Sequence, residues 1–191
     1  MRSAVLLLEI AHGVVFYRHV AAAAPVSFRP IFLRHRAFAR GGARLRDADF
    51  RLLALALNRT RRQHPFYLTA WVILPDHWHA ICAPVYPLTI SQVMKSAKIS
   101  STILINRRRA ERGELWQARF FDRALRTVKE YNDKVEYIHL NPVKAGLVRR
   151  PEDWPWSSVR EYSGSIQDES TRHPFLPIDR VLLPSDERTR I

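Results

Sequence analysis

Two apolar runs meet across a break too short for anything but a turn. Phe66 to Leu74 is rich in β-branched and aromatic residues and stops at Pro75-Asp76, and His77 to Ala83 resumes the pattern at once. Such a break joins antiparallel neighbours, so the pair is expected to form a hairpin at the centre of the fold. Both flanks carry helical signals. Upstream, after Gly41-Gly42, Asp47 or Asp49 can cap a helix whose apolar residues Phe50, Leu53 and Leu57 fall at helical spacing, with Arg59, Arg61 and Arg62 near its C-terminal end. Downstream, Thr89 with Gln92 makes a capping-box pattern ahead of Ile90, Val93, Ala97 and Leu104 on one face, with Lys95 and Lys98 off it. That helix ends in Asn106-Arg107-Arg108-Arg109 and reaches Gly113.

Leu115 to Leu125 reads as a further strand, and Thr127 with Glu130 repeats the capping-box pattern to begin a third helix running to about Leu140. Two β-rich patches precede all of this, Val14 to Tyr17 and Phe28 to Leu33, and either can supply a first strand. The order is strand, helix, strand, strand, helix, strand, helix. Its first six elements predict a ferredoxin-like α+β sandwich, an antiparallel sheet with helices on one face, followed by an additional C-terminal helix.

The chain has 191 residues and a formal net charge of +13, and 26 of its 31 basic residues are arginine, whose planar fork suits phosphate. A polyanionic partner is expected. The last 28 residues hold four arginines against five acids, so the positive charge belongs to residues 1–163, expected to form one domain, and not to the extension 164–191. The extension, with His173-Pro174, Leu176-Pro177 and Leu183-Pro184, reads as an extended arm with a few apolar anchors. Cys82 is the only cysteine, which excludes an intrachain disulfide and a Cys-cluster zinc site. No uncharged apolar run approaches the roughly 18 residues that span a bilayer, and Glu9 and His12 interrupt the apolar N-terminus. A cytoplasmic, nucleoid-associated protein with no membrane partner is expected.

His77-Trp78-His79 is the sharpest local signal. Residues i and i+2 of a strand point to the same side, so both imidazoles can face one point while Trp78 packs on the other. Two converging neutral imidazoles make half of a divalent-metal site; two histidines on a half-exposed strand are the plainer alternative. On the third helix, Val128, Tyr131, Val135 and Ile138 cluster on one face and mark the side buried against the sheet, which makes Tyr131 a core residue. Tyr137 lies roughly 120° from the centre of that stripe, with Asn141 one turn further on. Asn141 also precedes Pro142 and can cap a short separate helix through Ala145 that ends at Gly146.

Four blocks occur in order: Leu74-Pro75-Asp76-His77-Trp78-His79; Trp116-Gln117 followed by Arg119-Phe120-Phe121; Tyr137-Ile138-His139-Leu140-Asn141-Pro142-Val143-Lys144-Ala145-Gly146-Leu147-Val148; and Asp153-Trp154-Pro155-Trp156-Ser157-Ser158. Together they resemble the HUH-type single-tyrosine transposases of insertion sequences, in particular the REP-associated branch, over about residues 66–162. The resemblance implies that His77 and His79 bind a divalent ion, Mg²⁺ or Mn²⁺, and that Asn141 is a third polar ligand. It implies that Tyr137 is a helix-borne nucleophile, attacking a phosphodiester to give a 5′-phosphotyrosine link and a free 3′ hydroxyl. It also implies single-stranded or hairpin DNA as substrate and a homodimer as the working form.

Lys95, Lys98, Arg107, Arg108, Arg109 and Arg112, in and after the second helix, with Arg119, Arg123 and Arg126 on the next strand, are the candidate phosphate-tracking surface. Trp154 and Trp156 can stack on unpaired bases or staple the chain's end to the core. Two other readings compete with the enzyme: a domesticated protein that recognises folded single-stranded DNA without cutting it, and an RNA-binding module of ribosomal type. The latter explains the charge but not the histidine pair or the off-stripe tyrosine.

Overall fold

The computed structural model describes residues 28–37, 44–163 and 172–181, with 183, 188, 190 and 191. The elements are β1 (Ile31–Arg36), α1 (Asp47–Gln63), β2 (Phe66–Ile73), β3 (His77–Pro84), α2 (Ile90–Arg109), β4 (Phe121–Ala124), α3 (Val128–Lys144) and α4 (Val159–Ser163). The sheet order is β2-β3-β1-β4, with every pairing antiparallel. This is the expected ferredoxin-like α+β arrangement. The second of the two β-rich patches supplies β1; Val14 to Tyr17, Ala21 to Ala24 and Gly41-Gly42 lie outside the described residues.

Strand alternation sends the two sides of the sheet to different partners. Leu33, Trp78, Ala80, Cys82 and Trp71 join Phe50, Leu53, Leu57, Val93, Met94 and Ala97 in one core, under α1 and α2. Phe32, Ile81, Ala83 and Val72 join Tyr131, Val135 and Ile138 in a second core, under α3. A bulge between Leu68 and Ala70 breaks the alternation of β2, so Leu68 and Trp71 face the first core while Ala70 and Val72 face the second. The nucleophile-bearing helix proposed from sequence therefore lies on the side of the sheet opposite α1 and α2.

Local chemistry explains where the elements stop. Thr89 and Gln92 cap α2 reciprocally, and α2 ends at Arg109, short of Gly113, because Ala110 turns left-handed at φ 55° and Glu111 N–H donates back to Asn106. Its buried stripe is Val93, Met94, Ala97, Ser101 and Ile105; Leu104, expected on that stripe, is half-buried beside it. The expected strand Leu115 to Leu125 shortens to Phe121–Ala124. Trp116 still bridges Ala37 just past β1, with its side chain buried beside His35 and its indole donating to Ser101 Oγ at 2.8 Å, and the ladder is interrupted between this bridge and Phe121. Thr127 caps α3, which runs past Leu140 to Lys144 with Pro142 inside it. Asn141 accepts from Ala145 N–H and so belongs to this continuous helix; it does not start a separate one.

Arg46 precedes α1, and Asp49 three residues later accepts its backbone N–H at 2.9 Å. The buried Asp49 carboxylate also takes Arg108 at 2.7 Å and Arg109 at 2.8 Å, tying the start of α1 to the end of α2. Removing one partner from a buried ion pair leaves uncompensated charge. With Arg108 partly exposed, Asp49→Ala is expected to cost about 3 kcal/mol, at the low end for such pairs, and to lower Tm by roughly 6 to 12 °C. A thermal melt within 2 °C or so of wild type would show that the clamp contributes little.

The tryptophans staple. Trp154 donates to Ile73 carbonyl at 2.9 Å, and the buried Trp156 donates to Asp47 and packs on Phe50 and Phe175. The described part of the extension does act as an anchored arm. Leu176 is fully buried and accepts the Trp71 indole N–H at 3.0 Å, and Asp179 exchanges hydrogen bonds with Leu68 along β2.

Candidate active site

His77 opens β3 opposite Arg36, and His79 follows opposite Arg34. Both imidazoles rise on the α3 side of the sheet, with Trp78 buried on the other side beside His35, as alternation requires. Their ring centroids are 4.8 Å apart. His79 is buried, and neither of its ring nitrogens has a hydrogen-bond partner among the described residues. Burial, reinforced by His77 and Arg34, pushes its pKa down to about 3, so the ring is neutral and keeps a lone pair for a Lewis acid. His77 is half-buried, and its Nδ1 lies 2.6 Å from Asp76 Oδ1. A carboxylate at Nδ1 assigns the proton there and leaves Nε2 as the donor of electrons, the usual outer-shell arrangement of a ligating histidine. Burial works to raise the Asp76 carboxyl, but the hydrogen bond from His77 and the charge of Arg36 hold the group below the ordinary range.

The helix α3 brings Tyr137 to this pair. Its ring stands edge-on to His79 at 5.4 Å and to Phe32 at 5.8 Å, and Phe32 in turn stacks on His79 at 5.5 Å. The off-stripe residue thus packs at the margin of the second core, against Phe32 and beside His79. Asn141 is buried one turn on, its amide donating to the Tyr137 carbonyl at 3.1 Å, which orients the side chain along the helix. Among the described residues no three His, Cys, Asp or Glu side chains gather around a metal position.

The basic residues divide. Lys95, Arg107, Arg112, Arg119 and Arg123 are exposed, as expected. Three others are engaged internally: Lys98 donates to the Gln117 and Ala118 carbonyls at 2.9 and 3.0 Å, and Arg108 and Arg109 clamp Asp49. The physical reason is proximity: the end of α2 lies against the start of α1, and a buried carboxylate there claims the nearest guanidiniums. Moreover α2 packs on the face of the sheet opposite the histidines. Among the described residues, the cations beside the site include ones the sequence reading missed. Arg34 and Arg36 stand on the imidazole side of β1, and the Lys134 and Lys144 ammoniums lie 5.1 and 5.2 Å from the Tyr137 ring centroid. A helical projection centred on Tyr137, which places positions −3 and +7 beside it, would have found the lysines.

Known proteins resemble this chain in sequence and in fold. The family described as Transposase IS200 like matches residues 45–141. A REP-associated tyrosine transposase of Escherichia coli (strain K12) is 33% identical over 117 residues, 61% of this chain and 68% of that protein. The solved structure of a REP-associated tyrosine transposase bound to a REP hairpin superposes with a TM-score of 0.65 at 26% identity, covering 87% of this chain and 94% of that one.

Proposed function

Because the chain belongs to the IS200-like transposase family, we propose that it nicks and rejoins single-stranded or hairpin DNA through a covalent link to Tyr137. The observation that carries this reading is the Tyr137 ring set edge-on to His79, a buried imidazole whose two nitrogens have no hydrogen-bond partner among the described residues. The donors fit a divalent cation such as Mg²⁺ or Mn²⁺: among the described residues nothing else takes the His79 lone pair, and Asp76 at Nδ1 leaves Nε2 of His77 for a metal. His77 and His79 would hold it, with Asn141 as a third ligand, and the ion when bound would polarise a phosphate oxygen.

The remaining work falls to the chain's own residues. Asp76 fixes the orientation and tautomer of His77. The rigid α3 holds the phenol at the end of the sheet, so the Tyr137 oxygen can form its bond to the scissile phosphorus while the bond to the sugar 3′ oxygen breaks. The phenol proton is lost to solvent and the 3′ oxygen leaves as a hydroxyl. The phosphodiester energy is kept in the tyrosine link, and attack by a second 3′ hydroxyl restores the phenol and joins DNA ends without ATP. The hairpin bound by the structural relative makes folded single strands the first substrate to try.

The test is incubation with labelled single-stranded hairpin DNA and Mg²⁺, followed by a denaturing gel. A protein-DNA adduct is expected, and chelator should abolish it. A salt-sensitive gel shift with no adduct would identify a DNA-binding protein that does not cut.

A further inference from the structure

We propose that Lys134 and Lys144 form a cationic clamp on either side of the Tyr137 phenol, gripping the non-bridging oxygens of the phosphodiester that the phenol attacks. This rests on the reading of Tyr137 as nucleophile. At 100° per residue, Lys134 projects about 60° to one side of Tyr137 and Lys144 about 20° to the other. The two ammoniums lie at nearly equal distances from the same ring, 5.1 and 5.2 Å from its centroid, and Lys134 is also 5.1 Å from Phe32. One is half-buried and the other exposed, so an incoming strand can reach both.

Their lack of anionic partners sets them apart from their neighbours on the same helix. Lys129 pairs with Asp133 at 2.9 Å. Glu130, one turn before Lys134 and suitably spaced to pair with it, instead accepts from Arg126 N–H at 2.8 Å and from Arg123 at 3.2 Å. Among the described residues neither Lys134 nor Lys144 has a carboxylate within ion-pair distance. Ring faces give each ammonium modest attraction and cannot cancel the repulsion between two like charges at one site. An anion can. A phosphodiester approaching the Tyr137 oxygen brings that charge, and negative charge spreading onto its equatorial oxygens during attack makes the lysines count more in the transition state than in simple binding.

Two measurements test this on Lys134→Gln, Lys144→Gln, the double variant and the Lys→Arg counterparts. In single-turnover reactions at saturating hairpin DNA, each Gln variant should form adduct at least about tenfold more slowly and the double variant about a hundredfold, with Arg recovering most of the rate. The salt dependence of hairpin binding should flatten by about one counterion per lysine removed. The second measurement follows the ring resonance of Tyr137, in protein carrying isotope-labelled tyrosine, during titration with inorganic phosphate. A shift in wild type that vanishes in the double variant is expected.

Gln variants that cleave within twofold of wild type would overturn the clamp, and so would a phosphate response unchanged by removing both lysines. If wild type forms no adduct yet keeps a lysine-dependent phosphate response, the clamp stands and the nucleophile assignment falls. Loss of both overturns both.

Discussion

Tyr137→Phe is expected to abolish the covalent adduct while leaving the protein folded and able to shift hairpin DNA. The substitution removes one oxygen and nothing else. The ring that packs edge-on against His79 and Phe32 is retained, as is the face that meets Lys134 and Lys144. Because Tyr137 is half-buried, its loss of a hydroxyl should change stability by no more than about 0.5 kcal/mol. Phosphate contacts, which supply most of the affinity for DNA, are untouched. The rate is another matter, since the variant has no nucleophile to bond with phosphorus, and deleting a nucleophile costs on the order of 10⁴-fold or more. Adduct on a denaturing gel, read beside a gel shift and a melt, separates these quantities. An adduct that persists in the variant would show that a different side chain attacks, and weak binding with a lowered Tm would show that the tyrosine is a packing residue.

The second large effect is acid sensitivity. His35, His79 and His139 are buried and His173 is half-buried, and desolvation pushes their pKa values down to about 4, 3, 3 and 4 from an ordinary 6.5. Between those values and 6.5 the unfolded chain binds protons at these rings that the folded chain refuses, so the stability they allow is intact above pH 6.5 and drains away as the pH falls. Glu161 works in the opposite direction. Burial raises its carboxyl to about 7, so the folded state holds a proton there that the unfolded chain has released. Near pH 5.5 four protons gained on unfolding are offset by one lost, a net slope of roughly 3.7 kcal/mol per pH unit. Through the ordinary carboxylate range the offset disappears and the slope steepens, until the folded rings themselves take up protons. Set against total stabilities of about 5 to 15 kcal/mol, this predicts cooperative unfolding near pH 4 to 5 in the presence of chelator. Circular dichroism against pH is the measurement. A fold that persists unchanged to pH 3 would show that these rings are hydrated or paired in solution. His35→Phe should move the midpoint to lower pH, because His35 sits among Trp78, Trp116 and Phe120 with both nitrogens unpartnered.

What the sequence made legible follows the strength of local signals. The hairpin was visible because Pro75-Asp76 leaves no room for another connection, and α2 and α3 because Thr89 and Thr127 announce their starts. The α3 stripe of Val128, Tyr131, Val135 and Ile138 is the buried face in the structure, which in turn placed Tyr137 beside it. Three features depended on contacts distant in sequence and were misread or missed. The shortening of β4 goes with a break in register between the Ala37–Trp116 bridge and Phe121, where the buried Trp116 indole reaches Ser101 fifteen residues away. The commitment of Arg108 and Arg109 is set by Asp49, about sixty residues earlier. Arg34 and Arg36 became site residues only once β1 was paired with β3, since register alone puts them across from His79 and His77.

That register carries a consequence for how such a protein can change. On β3 the residues that would do chemistry and those that fill the interior are interleaved one for one: His77 and His79 on one side, Trp78 and Ala80 on the other. Gaining or losing a single residue just before His77 would exchange them, carrying both imidazoles into hydrocarbon and a large indole into the reaction chamber. The hairpin tip at Pro75-Asp76 is therefore a place where substitutions can drift but lengths cannot, unless insertions arrive two at a time.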